Sequence, residues 1–451
     1  MPSRPPRIFI GLNEVAGLYT SLQQGLEELG IATMRIDEGG NPRGYRPARS
    51  TDMDGRIRPF HDGWARVAAG LERASLAVSG RRRKARGGGR FLWAVAATGV
   101  LAMKTTYRAA LLVNVIFAYD VVMLTGGSSF FRGRELPLLR RLGKRVVVVF
   151  AGSDHRPAFL NGRLLRTMST AEIIEDARRT LRYVRLAERH ATAVVAASCS
   201  AQFHRRPFVL FMALGVPFEP ARDEESHRAP VFTGRGVRIL HSPSDPISKG
   251  TPVVRELIAR LRAEGIPIDF VEITDRPHSE VLAALDECDF AIDELYSDTP
   301  LGRFATEAAW FAKPAVTAGE YSLAIADEVP PALIPPATFV ALEDVEAAVR
   351  AFISDPGYRE SQGAAIQAFV QGEWSPAAVA GRFLRVIRGD VPPEWLCDPA
   401  RLAYVGGYGL APDAWRPSVG AVVEAAGGVD QLGLNESSAR SLTKRLSAPP
   451  T

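Results

Sequence analysis

The sequence predicts an α/β protein built from two successive doubly wound halves, and three observations predict it. Apolar runs of strand length, each ending in small or polar residues, alternate with stretches of helical periodicity. The alternation pauses at PFEPARDEESHRAPVFTGRG, Pro217 to Gly236, a stretch rich in charge, proline and glycine, and then restarts. The chain has 451 residues, more than the roughly 250–300 at which a single core stops growing, so about two domains are expected.

In the first half, RIFIGL (Arg7 to Leu12) reads as a buried strand. NEVAGLYTSLQQGLEELG follows with Val15, Leu18, Leu22, Leu26 and Leu29 at helical spacing and stops at Gly30, and IATMRID is the next strand. This βαβ opening places Gly11 and Gly17 near a helix N-terminus, where an anionic or polar ligand can sit, although a tight turn that needs glycine accounts for them at least as well. After a basic, helical middle come three more apolar strands: YDVVMLTGG, ending at Gly126 and Gly127, KRVVVVFAGSD, ending at Asp154, and ATAVVAAS. Such near-continuous apolar runs fit parallel strands covered on both faces.

The second half repeats the pattern. GVRILHSPS is a strand and loop, TPVVRELIARLRAEG a helix, IPIDFVEI a strand, HSEVLAALDE a helix, CDFAIDEL a strand, FATEAAWFA a helix and KPAVTAG a strand. EDVEAAVRAFI and two or more further helices follow, and PPEWLCDPARLAYVGGYG with its polar tail matches no clear element. Two Rossmann-like halves imply a cleft, because open α/β sheets bind ligands at the carboxyl ends of their strands.

Composition narrows the function. Hydrophobic content of 46% and charged content of 23% are those of a soluble globular protein, and the Arg- and Ala-rich wording is that of a GC-rich bacterial genome. Cys199, Cys288 and Cys397 lie far apart with no CxxC, so neither a disulfide framework nor a zinc site is expected, and a reducing cytoplasm fits. MPSRPPRIFIGL is too short in apolar residues for a signal peptide, and with no run of 18 uncharged apolar residues no membrane span is expected. The net charge of +5 is uneven: RRRKARGGGR, Arg81 to Arg90, stands directly before the apolar FLWAVAATGVLAM. Basic next to apolar is an interfacial pattern, which makes an anionic membrane surface a candidate partner beside the plainer reading of a solvated loop and a core helix. No motif for nucleic acid accompanies it.

The chemistry centres on HSPSDPISKGT, His241 to Thr251. Lys249 is one of only six lysines, and it stands between a Ser/Pro loop and a helix start. Backbone amides at that helix end, the hydroxyls of Ser242, Ser244 and Thr251, Gly250 in the turn and the Lys249 ammonium together suit a diphosphate. Alone, a first-turn lysine is more often solvated. In PLGRFATEAAWFAKPAV, Glu307 sits early in a helix after a glycine-containing loop, where a carboxylate can accept two hydrogen bonds from a ribose diol, or merely stabilise the helix N-terminus.

HxPSxxxxKGT, then CDFAIDEL, then GxxxxEAAxxxKPAV together resemble the carboxyl-terminal donor domain of GT-B glycosyltransferases, in particular the retaining group 1, GT4-like bacterial enzymes. The resemblance runs from about Val237 to Gly319, and AGSDHR, Ala151 to Arg156, resembles a GSDxR motif of related bacterial enzymes. It implies two Rossmann-like domains facing a cleft with C-terminal helices crossing back. On that pattern 1–215 is the acceptor-side domain, 216–236 a linker, 237–390 the donor domain, and 391–451 an extension packing back on the N-terminal domain. It further implies a nucleotide-diphosphate sugar as donor, UDP- or GDP-linked, with Lys249 at the diphosphate and Glu307 at the ribose, and no cofactor. Gly11, Asn13, Gly17, Gly126, Gly127, Asp154 and Arg156 would then line the acceptor side, and the acceptor would be a glycan, lipid-linked or small-molecule hydroxyl.

The chain departs from the pattern at three places. Ser244 stands where many relatives have Arg, so a second cation on the diphosphate would have to come from elsewhere, with Arg303 the candidate. Thr299, beside Asp298, stands where relatives often have a second Glu, and Ala151 where they tend to have His. Breaking a sugar–phosphate bond develops negative charge on the leaving diphosphate, so a fixed cation is the first requirement, and Lys249 meets it. In a retaining front-face reaction the departing phosphate takes the acceptor proton, and no protein base is needed. Asp52 and Asp54 form a DxD pair in a polar loop, read as solvated, and no catalytic metal is expected. Asp154 is either an Asx turn or an acceptor-positioning group, His155 a base only in an inverting reaction, and His241 a packed residue at its strand end. Two further readings stand beside sugar transfer: a nucleotide-sugar epimerase of the same fold, and a non-catalytic binding subunit. A cytoplasmic location, peripheral at the inner face of the membrane, completes the expectation.

Overall fold

The computed structural model describes residues 4–38, 50–51, 58–84, 89–220, 232–233 and 236–449. Contacts divide the chain into two compact units: Met1–Ala151 with Leu186–Val194 and Ala380–Asp390, and Gly152–Arg185 with Val195–Val379 and Val391–Thr451.

The first unit is built on β1 (Ile8–Leu12), which pairs in parallel with β2 (Thr33–Asp37) on one side and β4 (Val121–Thr125) on the other. The two-residue strand β3 (Ser50–Thr51) runs antiparallel along β2, and β5 (Arg145–Val149) runs parallel to β4, so the order is β5-β4-β1-β2-β3. Every residue of β1 and β4 is buried, the signature of strands covered on both faces. Helix α1 (Leu18–Glu28) packs Leu18, Tyr19, Leu22 and Leu26 inward. Its apolar spacing includes Val15, yet the helix starts three residues later, because Ala16 and Gly17 take positive φ of 49° and 78° that no right-handed helix can contain.

Between β3 and β4 the chain forms two long helices, α2 (Arg58–Lys84) and α3 (Gly89–Ala118), packed on each other as a hairpin. The basic run Arg81 to Arg90 therefore includes the end of one helix, the start of the next and residues 85–88, which lie outside the described residues. The expectation of no span rests on the absence of 18 uncharged apolar residues in a row, yet one helix has the length and composition to cross a membrane. Within α3, Trp93–Ala118 passes that test by length and composition, since a helix tolerates the two charges, Lys104 and Arg108, that interrupt the run. Helix α4 (Leu136–Arg141) completes the connections of this unit.

The second unit opens with the short helix α5 (Gly162–Thr167) and with α6 (Thr170–His190), whose last residues belong to the first unit. Strand β6 (Ala193–Ala196) pairs in parallel with β7 (Phe208–Leu210), which is followed by the single turn α7 (Phe211–Leu214). The main sheet of this unit consists of β8 (Val237–His241), β9 (Ile268–Glu272), β10 (Phe290–Ile292), β11 (Ala315–Ala318) and β12 (Thr338–Val340), all parallel in the order β12-β11-β10-β8-β9. The connections are α8 (Thr251–Ala263), α9 (His278–Glu287), α10 (Arg303–Trp310) and the short α11 (Ile325–Glu328). Val254, Leu257, Ile258 and Leu261 recur at helical spacing on α8 and meet Ile239, Phe290, Ile292 and Val316 of the sheet, with Val349 and Phe352 of α12 (Val345–Ser354) closing the same core. Beyond it lie α13 (Pro356–Gly372), α14 (Pro376–Arg388), β13 (Leu396–Cys397) antiparallel to β7, α15 (Pro412–Ala426) and α16 (Glu436–Ser447). Ala380–Asp390, most of α14, packs with the first unit. Both units are Rossmann-like parallel sheets with helical connections, as the alternation of runs predicts.

Candidate functional site at the start of α8

The loop between β8 and α8 is folded on itself, with the amides of Lys249 and Thr251 bonded to the carbonyls of Asp245 and Pro246 at 3.0 and 2.9 Å. Gly250 caps the helix at φ 71°, and a Cβ there would stand 2.8 Å from the Leu295 Cβ, so both the turn and the close approach require glycine. The Lys249 carbonyl accepts from the Leu295 amide at 3.2 Å, which pins the lysine to the chain just past β10.

Its buried ammonium donates to Glu294 Oε1 at 2.6 Å and Asp293 Oδ1 at 3.2 Å. Side chains of consecutive residues alternate across a strand, but β10 has ended at Ile292, so both carboxylates reach one ammonium. Burial alone would depress the Lys249 pKa; Asp293 and Glu294 outweigh it and hold the ammonium protonated, above its ordinary range. Burial pushes the Glu294 carboxyl up, against the pull of Lys249, and the charge of Asp293 pushes in the same direction. Asp293 Oδ2 is buried with no hydrogen-bond partner among the described residues.

The hydroxyls expected around a diphosphate are differently engaged. Thr251 Oγ1 lies 2.9 Å from His241 Nε2, and His241 Nδ1 lies 2.8 Å from the Ile292 carbonyl. The carbonyl requires the proton on Nδ1, so the Thr251 hydroxyl donates to Nε2. Burial lowers the His241 pKa to about 4, so the ring is neutral. Ser242 Oγ donates to the Ile273 carbonyl at 3.0 Å, and Ser244 is exposed.

Glu307 is buried, and its Oε1 meets Arg303 Nε at 2.7 Å and His278 Nε2 at 2.9 Å. Burial pushes its carboxyl up, but Arg303 and His278 outweigh this and hold it below the usual carboxylate range. Arg303 also donates to the Pro217 carbonyl at 3.0 Å and lies 4.6 Å from the Phe218 ring centroid, so it is anchored in place as the partner of Glu307.

Of AGSDHR, Gly152 to Arg156 belong to this same unit. Arg156 is buried with Nη2 2.5 Å from Asp298 Oδ2, while its Nε and Nη1 find no partner among the described residues. Burial would lower its pKa, but Asp298 outweighs this and keeps the guanidinium charged. Asp154 Oδ1 accepts from the Gly152 amide at 3.0 Å, a local turn contact. His155 is sealed inside: its Nε2 lies 2.9 Å from Ser200 Oγ and its Nδ1 3.1 Å from His204 Nε2, and burial holds it far below its ordinary pKa.

Residues that sequence reasoning misses complete the site. Asp293 and Glu294 are adjacent acids at the carboxyl end of a buried apolar strand, a signal readable in CDFAIDEL. Tyr408 comes from YVGGYG: its hydroxyl bonds to Glu294, its ring lies 5.8 Å from the Arg156 guanidinium carbon, and its backbone bridges Asn161. The loop is drawn in by glycines, since a Cβ on Gly162 would stand 2.1 Å from the Gly409 carbonyl oxygen. Arg166 ties it to the α8 loop, donating to the Gly409 carbonyl at 3.3 Å and to Ser248 Oγ at 2.8 Å.

In the first unit, Asn13, Gly126 and Gly127 gather at the carboxyl ends of β1 and β4. Asn13 Nδ2 donates to the Gly126 carbonyl at 3.4 Å, the Thr125 hydroxyl donates to the Asn13 carbonyl at 2.6 Å, and Gly126 and Gly127 take φ of 56° and 66°. Gly11 is the fourth residue of β1, and Gly17 caps α1. The start of α1 is filled from within: the Glu14 carboxylate accepts from the amides of Val15, Tyr19 and Thr20 and pairs with Arg35 at 2.8 Å. Asp52 and Asp54 lie outside the described residues.

No known protein family's model matches the chain. No curated protein matches it either. Solved structures that align with it include the catalytic domain of starch synthase IV from Arabidopsis thaliana bound to ADP and acarbose, at 9% identity over 86% of this chain and 99% of that chain, TM-score 0.46. Anabaena HepE in complex with UDP-glucose aligns at 12% identity over 85% of this chain and 100% of that chain, TM-score 0.44. WaaG, a glycosyltransferase involved in lipopolysaccharide biosynthesis, aligns at 12% identity over 85% and 100%, TM-score 0.44.

Proposed function

We propose that the chain is a metal-independent, retaining GT-B glycosyltransferase that moves a sugar from a UDP- or GDP-linked donor to an acceptor hydroxyl on a glycan, a lipid-linked or a small-molecule acceptor. One observation carries the reading: a buried Lys249 at a helix start, its ammonium held by two carboxylates, in a motif that resembles the donor site of that family. The leaving diphosphate gains negative charge as the sugar–phosphate bond breaks, and a fixed ammonium beside the first turn of α8 stabilises that charge most in the transition state.

The carboxylates set a condition on binding. Two ionised acids around one ammonium would repel a diphosphate, so Glu294 must release Lys249 or take up a proton. Burial already pushes the Glu294 carboxyl up, which makes proton uptake the cheaper route. Glu307, kept ionised by Arg303 and His278, is then the acceptor for the ribose diol, and the unsatisfied Asp293 Oδ2 and Arg156 N–H groups suit hydroxyls and oxygens of the sugar. In the front-face reaction the leaving phosphate oxygen receives the acceptor proton. Acceptor choice is assigned to Gly11, Asn13, Gly17, Gly126 and Gly127 in the first unit, with Asp154 and Arg156. All three cysteines are free and buried thiols, which supports a cytoplasmic location.

The test is product analysis with UDP-, GDP-, TDP- and ADP-sugars, with Mg²⁺ and with EDTA. Nucleotide release with retained anomeric configuration by proton NMR, unchanged by EDTA, is expected. Lys249→Ala should lower turnover by roughly 10²–10³; near-normal turnover in the folded variant contradicts the role. A second reading, nucleotide-sugar epimerase, is favoured by Asp293 and Glu294, which supply buried acid–base groups. Isomerised donor formed without any acceptor would establish it.

A further inference from the structure

We infer that the α2–α3 hairpin is a docking surface for an anionic lipid bilayer, lying on the membrane rather than crossing it. Residues 58–118 hold eleven Lys or Arg against two Asp or Glu, a net +9, while the remainder of the chain is −4. The whole positive balance of the protein is thus concentrated in one hairpin.

The surface of α3 is apolar where a soluble helix would be charged. Val95, Gly99, Ala102, Met103, Ala110, Val113 and Phe117 are exposed at helical spacing along one face, which the uncharged Thr106 shares, with Phe117 86% and Val113 54% accessible. From Trp93 to Ala118 no charged residue is exposed, and the two charges of that stretch are paired: Lys104 Nζ with Glu72 at 2.6 Å, and Arg108 with Glu38 at 2.9 Å. The stripe from Val95 to Phe117 is about 34 Å long at 1.5 Å per residue, too large an apolar face to be left in water by chance.

The neighbouring helix supplies the electrostatic half. Arg66, Arg73 and Arg81 are exposed on α2, and among its described exposed residues there is no acid. In the sequence, Arg82, Arg83, Lys84, Arg86 and Arg90 add five further basic residues between Arg81 and Trp93. Apolar residues entering the acyl boundary beside a basic row that reaches lipid phosphates is the arrangement of an interfacial helix.

Lying flat follows from how α3 is held. Its inner face buries Tyr107, Leu111 and Val115, its charges are tied to Glu72 and Glu38, and its end runs directly into β4 in the core of the sheet. A crossing would extract these groups; insertion of the exposed stripe alone disturbs none of them.

The experiment is flotation of the full chain with vesicles of phosphatidylcholine alone and with added phosphatidylglycerol. Binding is expected only with the anionic lipid, and to weaken with salt. Phe117→Asp is expected to weaken it about tenfold or more, and Arg73→Glu roughly fivefold or more, with unchanged melting temperature and donor hydrolysis. No binding to anionic vesicles, or equal binding by Phe117→Asp, overturns the inference. So does a concentration-dependent dimer dissolved by Phe117→Asp without vesicle binding, which would make a second copy the occupant. Binding to duplex DNA in place of vesicles, indifferent to Phe117, overturns it in favour of nucleic acid.

Discussion

The protein makes the same element twice, a first parallel strand turning into a helix, and treats the two helix starts in opposite ways. At α1 the free amides are satisfied by Glu14, whose charge is matched by the buried Arg35. At α8 the first turn is flanked by a buried cation, Lys249, together with carboxylates that a ligand could relieve of it. A helix start closed by its own side chain is structural; one that stores a charged group beside an unsatisfied acceptor is poised for a ligand. The comparison directs the search for the proposed donor to the second unit.

Removing the closure should separate stability from function most sharply. Glu14→Ala removes the carboxylate that pairs with buried Arg35 and accepts the amides at the start of α1, and about 3–5 kcal/mol of stability should be lost, read as a lower denaturant midpoint with donor affinity intact in the folded fraction. If donor affinity instead fell in step, the first helix start would be part of the donor site.

Acid sharpens the same contrast on the α8 side. His241 is neutral when folded, with its pKa lowered to about 4 from an ordinary 6.5, so the unfolded chain binds a proton that the native state refuses. Its stability contribution is complete above about pH 6.5 and is lost as pH falls toward about 4, amounting to about 3 kcal/mol. Urea unfolding across this window measures it, and a flat profile would mean that the ring takes up its proton in the native state.

Gly250→Ala tests the turn itself. An alanine at φ 71° costs about 1–2 kcal/mol, and its methyl carbon would press on Leu295 at 2.8 Å, so both stability and donor binding should fall. The substitution Gly30→Ala also meets a positive φ of 72° but no neighbour within 4 Å, and should cost the backbone strain alone.

The strands were legible because their chemistry is local. KRVVVVFAGSD and GVRILHSPS announce buried strands by composition, and α9 covers the ten residues His278–Glu287 that periodicity selects. Helix α1 starts later than its apolar spacing suggests because backbone sign at Ala16 and Gly17 is invisible to a hydrophobic pattern. The α2–α3 hairpin was hidden for another reason: a run rich in basic residues reads as a loop, whereas Arg81–Lys84 end α2 and Arg90 stands in the first turn of α3. At the site, Lys249, Glu307 and Arg303 could be singled out from motif spacing, but not which groups would pair with one another. Asp293 and Glu294 lie 44 and 45 residues from Lys249, and Tyr408 arrives from a tail without recognisable periodicity. Long-range contacts of this kind are products of topology, which a local pattern does not encode.

Calorimetric titration of UDP and GDP into the wild type, Lys249→Ala and Glu294→Gln tests the central claim most directly. Binding of one nucleotide is predicted, lost in Lys249→Ala and strengthened about tenfold in Glu294→Gln, where one competing negative charge beside the ammonium has been removed. Equal affinity in all three folded proteins would contradict a diphosphate at Lys249 and leave that lysine as a structural partner of its two carboxylates.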